Sequence, residues 1–155
     1  MNWVDAAKKD IGQSETLGPN DSPWIRSMLA NMGASWLVGQ PWCGGAMAKW
    51  MKSCGLEPPK AWYRAKAWAD WGAPLYGPAQ GCVVVFSRTG GGHVGIVVGE
   101  TDTGKLLVLG GNQGDQVKIS AFDRSRVTAY RWPPVADVPN YQLAKGDAAM
   151  STSEA

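Results

Sequence analysis

The sequence is poor in the residues that build metal and disulfide sites, since its 155 residues include one histidine and three cysteines. Three is an odd number, and the cysteines at positions 43, 54 and 82 form no Cys-x-x-Cys pair. This pattern favours neither a disulfide framework nor a zinc site. At least one thiol is therefore expected to be free, in a protein made in a reducing cytosol.

Charge of one sign and long apolar runs are also scarce. The net charge is only +2, with no cluster of Lys or Arg, which argues against a nucleic-acid surface. No stretch is long enough to span a membrane, so stable membrane insertion is not expected. The opening "MNWVDAAKKDIG" has no apolar segment behind its lysines, so no secretory signal is predicted.

The order of sequence patterns predicts helices first and strands second. Residues 1 to about 72 contain four segments with helical spacing: "WVDAAKKDIG", "SPWIRSMLANMG" with Ser22 as N-cap, Pro41 to Cys54, and "YRAKAWADWG". The second half contains five short β-branched runs separated by turns: "CVVVF", "HVGIVVG", "KLLVLG", "VKIS" and "VTAYRW". We predict an α+β domain over residues 1–135, with its helices packed on an antiparallel sheet, and a flexible C-terminal tail over 136–155.

A cysteine follows Pro-Trp and precedes two glycines in "GQPWCGGAMAKWM". Pro41 suits the first helical position, which places Cys43 in the first turn. Unpaired backbone N–H groups and the helix dipole stabilise an anion there, so we expect a lowered pKa for the Cys43 thiol. Gly44 and Gly45 each cost roughly 1 kcal/mol relative to Ala, which indicates close approach of another segment or a substrate. A buried, unreactive cysteine is the alternative.

The single histidine begins an apolar strand in "GGGHVGIVVG", where three glycines leave space for a substrate beside His93. Asn112, in "LVLGGNQGD", ends the next predicted strand. Neighbouring strands of a hairpin would bring both to the same end of the sheet, where Asn112 could accept from the imidazole N–H. A structural histidine and a turn asparagine are the alternatives. Together with Cys43 they predict a thiol acyl-transfer site of the papain type.

In order and surroundings, "PWCGGAMAKWM", "GCVVVFSR", "GGHVGIVVG" and "LVLGGNQGDQV" resemble the CHAP family (cysteine, histidine-dependent amidohydrolases/peptidases), within the broader NlpC/P60-like group. "IGQSETLGPNDSPWI" and "YRWP" are similar to a subgroup of phage endolysins and bacterial wall hydrolases. The resemblance extends over about residues 3–133. It implies a papain-like fold and hydrolysis of a peptidoglycan amide bond, by an endopeptidase or an N-acetylmuramoyl-L-alanine amidase.

The resemblance also implies roles for individual residues. Cys43 matches the nucleophile, His93 the base and Asn112 the polar residue that orients the base. The backbone N–H of Cys43 is expected to stabilise the oxyanion, helped by Gln40 just upstream. Trp42, beside the nucleophile, is expected to lie in the substrate groove and stack on wall sugars.

Two positions depart from the family pattern. Many members carry an acidic residue where this chain has Gly110, so Asn112 alone remains to orient His93. The usual Gly-Asp before the "VVVF" strand is Gly-Cys here, and we interpret Cys82 and Cys54 as structural. Some members bind calcium, but "TDTGK" and "PNDSP" offer too few carboxylates, so neither a metal nor a cofactor is predicted.

The expected partner is bacterial peptidoglycan, and the expected state is a monomer. By resemblance to endolysins, the chain would be made in the cytoplasm of a host bacterium without a signal peptide. It would reach the wall through a membrane pore or a secretion machine. An antibacterial effector with the same chemistry and a non-catalytic wall-binding module are alternatives. A muramidase using Glu15 as general acid is a third, although it leaves Cys43 without a role.

Overall fold

The computed structural model describes residues 2–16, 22–151 and 153–154. Three α-helices come first: α1 (Asn2–Lys9), α2 (Pro23–Asn31) and α3 (Cys43–Ser53). A six-residue 3-10 helix (Ala65–Asp70) stands where the sequence predicts a fourth α-helix. Within the described ranges, no helix combines the length and apolarity that crossing a bilayer requires.

The helix starts agree with the sequence at α2 and differ at α3. The hydroxyl of Ser22 accepts a hydrogen bond from the backbone N–H of Ile25 at 3.2 Å, which confirms the predicted N-cap. At α3 the N-cap is Trp42, so Pro41 precedes the helix instead of starting it. Cys43 is nevertheless in the first turn, as predicted, because the helix begins at this residue.

The second half forms one antiparallel sheet of six strands in the order β1-β6-β2-β3-β4-β5. Its strands are β1 (Ala73–Pro74), β2 (Val83–Arg88), β3 (Gly91–Glu100), β4 (Leu106–Gln113), β5 (Gln116–Phe122) and β6 (Val127–Trp132). The five predicted strands are present, and the two-residue β1 was too short to leave a pattern. Helices followed by an antiparallel sheet confirm the α+β fold of the papain-like type.

The end of β4 is irregular. The register between β4 and β5 shifts between Gly110 and Gln113, and Asn112 has a positive φ of 60°. A two-residue turn follows, in which Gly114 and Asp115 both have positive φ, at 58° and 64°. This is the conformation that a tight hairpin between right-twisted strands requires.

Helix α3 packs directly on the sheet, and this packing fixes the position of its N-terminus. Trp50 and Trp68 are fully buried and Trp71 is nearly so, and all three belong to the hydrophobic core. A side chain at Gly44 would overlap the backbone carbonyl of Trp62, so glycine allows the segment before the 3-10 helix to cross α3 closely. The expected close approach is therefore made by another segment of the chain.

The C-terminal segment is hydrogen-bonded to the sheet. The prediction of a flexible tail is therefore wrong for residues 144–151 and 153–154, and position 152 lies outside the described residues. The carbonyl of Ala149 accepts from the N–H of Ala121 at 2.9 Å, and that of Ser153 accepts from Gly114 at 2.8 Å. Composition predicted looseness, but β5 is an edge strand whose unpaired backbone groups offer partners to this segment.

Candidate active site

Cys43 is the first residue of α3 and lines a groove of about 610 Å³. The groove lies between the N-terminus of α3, the segment 61–67 and the turn that leads into β3. Gly90, Gly91 and Gly92 line it, so the glycines that precede His93 leave space beside the cysteine, whereas the sequence predicts that space beside His93, which is buried and does not line the groove. A ligand in this groove would therefore lie against Cys43.

Burial raises the pKa of the Cys43 thiol above its ordinary value. The backbone N–H groups of Val94, Gly44 and Cys43 itself, and the charge of Arg88, act in the opposite direction but are outweighed. The expectation that the helix N-terminus lowers this pKa is therefore wrong, because burial destabilises the thiolate by more than these N–H groups stabilise it. The resting group is a thiol.

His93 lies on β3 and is completely buried. Its ring stacks near those of Phe86 and Phe122, with centroid distances of 6.1 and 5.5 Å. Burial lowers the pKa of His93 to about 4, although the hydrogen bond with Gln113 and the charge of Glu154 raise it. The imidazole is therefore neutral at neutral pH and able to accept a proton.

The hydrogen bonds of Gln113 determine which imidazole nitrogen is the base. The side-chain Nε2 of Gln113 donates to the carbonyls of Val108 and Lys118, at 3.0 and 2.9 Å. Its Oε1 must therefore be the atom 2.9 Å from His93 Nε2, and that ring nitrogen must be the donor. The neutral ring then carries its lone pair on Nδ1, which is buried and has no hydrogen-bond partner among the described residues.

Helix α3, which begins at Cys43, packs on β3, the strand that carries His93. The backbone N–H of Val94, the residue after His93, acts to lower the pKa of the Cys43 thiol, and the charge of Arg88 acts on both Cys43 and His93. These two packed elements therefore carry a thiol and an imidazole whose basic nitrogen has no hydrogen-bond partner among the described residues. This arrangement suits proton transfer from the thiol to Nδ1 during attack on a carbonyl.

Asn112 does not form the predicted hydrogen bond with His93. The β3–β4 register pairs Ile96 with Leu109, and its continuation would place Asn112 opposite His93. The positive φ of Asn112 breaks this alternation, and its Nδ2 donates instead to the carbonyl of Glu154 at 2.9 Å. Gln113, one residue later, takes the role of the polar partner.

Gly110 explains how Gln113 reaches the ring. A Cβ at this position would overlap Gln113 Oε1 and lie 3.4 Å from His93 Nε2. A side chain at position 110 would therefore point at the nitrogen that Gln113 now contacts. The glycine noted as a departure from the family pattern leaves the space that the carboxamide fills.

The two groove candidates upstream of Cys43 are placed differently. Gln40 is exposed and lines the groove, so it is available to a substrate. Trp42 is only 2% exposed and packs against Gly111, where a Cβ would lie 2.7 Å from its ring. The prediction of Trp42 as a groove residue is therefore wrong, because the glycine on β4 admits its ring into the core.

A different aromatic pair stands at the groove. Tyr63 lines it, and the ring of Trp36, 68% exposed, packs edge-to-face on Tyr63 with a centroid distance of 5.3 Å. Sequence reasoning missed both, because Trp36 lies in a connecting segment where helical periodicity gives no information about orientation. An exposed aromatic face beside a groove can stack on the apolar face of a ligand ring.

The C-terminal segment also reaches this region. The carboxylate of Glu154, with a side chain 6% exposed, forms an ion pair with Arg126 at 2.5 Å and accepts from the Ser151 hydroxyl at 2.7 Å. Burial opposes its ionisation, but these hydrogen bonds hold the pKa of Glu154 below its usual value. Arg126 in turn lies 5.9 and 5.7 Å from the ring centres of Phe86 and Phe122. The segment therefore supports the layer against which His93 packs.

The other two cysteines lie outside the groove. Cys82 is fully buried, and burial raises the pKa of its thiol to about 12. Its sulfur accepts from the backbone N–H of Ala79 at 3.4 Å. Cys54, at the end of α3, is half-buried and lies 3.7 Å from the hydroxyl of Ser53. Neither lines the groove, which agrees with the structural role predicted for both.

The family model described as CHAP domain matches residues 32–112, about half of the chain. The match includes Cys43, His93 and Asn112 and ends one residue before Gln113. No curated protein matches the chain.

Proposed function

Because the chain belongs to the CHAP domain family, whose members are peptidoglycan-directed amidases and peptidases, we propose that it hydrolyses an amide bond of the wall peptide with Cys43 as nucleophile and His93 as base. One observation carries this proposal. The Gln113 network leaves the basic Nδ1 of a buried, neutral imidazole without a partner among the described residues, on the strand against which the helix that carries the groove thiol packs. A buried polar atom left unpaired costs stability, which supports a functional reason for its retention.

The reaction begins from a neutral pair. As the Cys43 sulfur bonds to the amide carbon, its proton moves to Nδ1 of His93. The tetrahedral intermediate collapses when His93 gives that proton to the amide nitrogen, so the C–N bond breaks and an amine leaves. A water molecule, deprotonated by His93, then attacks the thioester, releasing a carboxylic acid and restoring the thiol.

The oxyanion of the tetrahedral intermediate needs donors close to the sulfur. The backbone N–H of Cys43 is in the first helical turn, where no preceding turn supplies an acceptor. We assign the oxyanion to this N–H, with the side chain of the exposed Gln40 as a second donor. A loss of one such donor typically lowers kcat by roughly 100- to 1000-fold, so Gln40→Ala tests the second assignment.

The test of the proposal is loss of turbidity of purified, outer-membrane-stripped bacterial walls. Wild type is compared with Cys43→Ala, with His93→Ala and with Cys54→Ala, a matched cysteine outside the groove. We expect wild type and Cys54→Ala to clear the walls and the first two variants to be inactive. Mass spectrometry of the released fragments then identifies the bond, which distinguishes an endopeptidase from an N-acetylmuramoyl-L-alanine amidase.

Two other outcomes would contradict the mechanism. If all four proteins clear the walls equally, the reaction does not use the thiol, and a carboxylate enzyme has to be considered. If none clears the walls but all sediment with them, the chain is a non-catalytic wall-binding module. Circular dichroism of each variant excludes misfolding as the cause of inactivity.

The cellular role that we propose is that of a phage endolysin, in keeping with the resemblance of "IGQSETLGPNDSPWI" and "YRWP" to that subgroup. Such an enzyme reaches the wall from the cytoplasm through a membrane pore. Gene order tests the role: a neighbouring holin gene supports a lysin, whereas a neighbouring immunity gene indicates an effector delivered into rival bacteria.

A further inference from the structure

The groove beside Cys43 is lined by cationic side chains. Arg64, Lys66 and Arg88 line it, and no acidic residue lines it among those that the structure describes. For a chain whose net charge is only +2, three cations around one groove are a local concentration of positive charge. A groove of one sign with low-dielectric walls focuses its field and attracts ligands of the opposite sign.

None of these three cations takes part in an ion pair within the described part of the chain. The five ion pairs found there use Lys49, Lys105, Arg124, Arg126 and Lys145. Arg64 and Lys66 are exposed, whereas Arg88 is partly buried and donates from Nε to the carbonyl of Gly92 at 3.0 Å. The charges of the groove are thus left available to a ligand.

Two of the cations are held close to the reacting groups. The stem of Lys66 lies over Gly92, where a Cβ would be 3.3 Å from Lys66 Cγ, and Gly92 directly precedes His93. Arg88 exerts its charge on both Cys43 and His93. Any anionic group that Lys66 or Arg64 contacts in the groove would therefore lie near the scissile bond.

We propose that this groove recognises a peptide with a free carboxylate close to the scissile amide, and that Lys66 and Arg64 bind that carboxylate. The inference rests on the proposed function and adds to it the charge of the preferred substrate. Charge-assisted hydrogen bonds from ammonium and guanidinium groups are about twice as strong as neutral ones. Conversion of the carboxylate to a primary amide keeps its size but removes this interaction.

The experiment measures binding and does not depend on hydrolysis. Peptides are isolated from purified walls after glycan digestion, and one portion is amidated with carbodiimide and ammonium. Affinity for both portions is measured by calorimetry with the Cys43→Ala protein, alone and combined with Lys66→Gln or Arg64→Gln. Lys52→Gln is the matched control, because Lys52 is an exposed lysine at the opposite end of α3.

In the Cys43→Ala protein we expect the acidic peptides to bind roughly fivefold to tenfold more tightly than the amidated ones, as expected when one charge-assisted hydrogen bond is replaced by a neutral one. Lys66→Gln and Arg64→Gln should each reduce this preference and leave binding of the amidated peptides unchanged. The preference should also weaken with added salt. Lys52→Gln should have no effect on either portion.

Equal affinity for the two portions, or no binding of either, would overturn the proposal. So would a Lys52→Gln effect as large as that of Lys66→Gln, since it would indicate a general effect of net charge. Wall clearing by the wild type is scored separately. A protein that clears walls but shows no carboxylate preference retains the proposed function and loses only this inference.

Discussion

Replacing Gln113 by leucine tests the hydrogen-bond network that supports the proposed role of His93 as a base. The substitution keeps a side chain of similar volume but removes three hydrogen bonds, from His93 Nε2 and to the carbonyls of Val108 and Lys118. His93 then loses the acceptor that fixes its tautomer and ring orientation. Losing a partner of a buried polar group costs about 1 to 3 kcal/mol, so we expect kcat/KM to fall roughly 5- to 150-fold.

Gln113→Glu separates positioning from a merely structural role. A carboxylate facing His93 Nε2 favours the imidazolium, so the pKa of His93 should rise from its lowered value of about 4. Activity requires the neutral ring, and the acid limb of the pH profile of kcat/KM should therefore move to higher pH. A residue that only filled space would change stability without moving this limb.

The assay is release of soluble peptide from purified walls between pH 4 and 9, with thermal unfolding of every variant. Gln116→Leu is the matched control, because Gln116 is half-buried and faces Gln113 across the two-residue turn. The reasoning is refuted if Gln113→Leu keeps wild-type kcat/KM while Asn112→Ala loses it. That result would return the orienting role to Asn112.

Three further predictions concern stability. The pKa of His93 is 6.5 in the unfolded chain and about 4 in the folded one. As the pH drops from 6.5 to about 4, His93 therefore binds a proton in the unfolded chain before it does so in the folded one, and the free energy of unfolding decreases. In urea unfolding, the decrease in the free energy of unfolding over this pH range should be about 3 kcal/mol larger for the wild type than for His93→Phe. Gly44→Ala should destabilise by about 1 to 3 kcal/mol in thermal unfolding despite alanine's helix propensity, because its Cβ overlaps the Trp62 carbonyl. Glu154→Gln removes the charge paired with Arg126, so it should lower the midpoint of thermal unfolding and leave the backbone amides of residues 144–151 less protected in hydrogen exchange. The control Glu57→Gln should change neither quantity.

The elements, and the positions of Cys43 and His93 within them, could be predicted because their signals are local. Strands β2 to β6 are runs of β-branched residues bounded by turns, and each was predicted to within a few residues. Cys43 lies in the first turn of a helix and His93 near the start of a strand, both beside glycines, and these features are readable from neighbouring letters. The packing of α3 on β3 then follows from the layered fold.

The details that the sequence did not reveal depend on distant residues or on backbone irregularities. Asn112 is predicted from its place at the end of the strand next to His93, but a register shift and a positive φ at that strand end bring Gln113 to the ring instead. The burial of Trp42 depends on Gly111, on a strand far along the chain. The raised pKa of Cys43 is a property of desolvation, which no local motif reports. The ordered C-terminal segment needed the free edge of β5 as a partner.

The irregularity at the end of β4 and Gly110, which precedes it, together determine which side chain contacts His93 Nε2. A side chain at Gly110 would point at His93 Nε2, so an acidic residue there could contact the ring directly from a regular strand. With glycine at this position, the space next to Nε2 is empty unless another side chain enters it. The positive φ of Asn112 and the shifted register turn Gln113 into that space, where Val108 and Lys118 fix its orientation. A neutral amide there holds the tautomer of His93 without adding a negative charge, which is consistent with the low pKa of the ring and with a reaction that starts from a neutral pair.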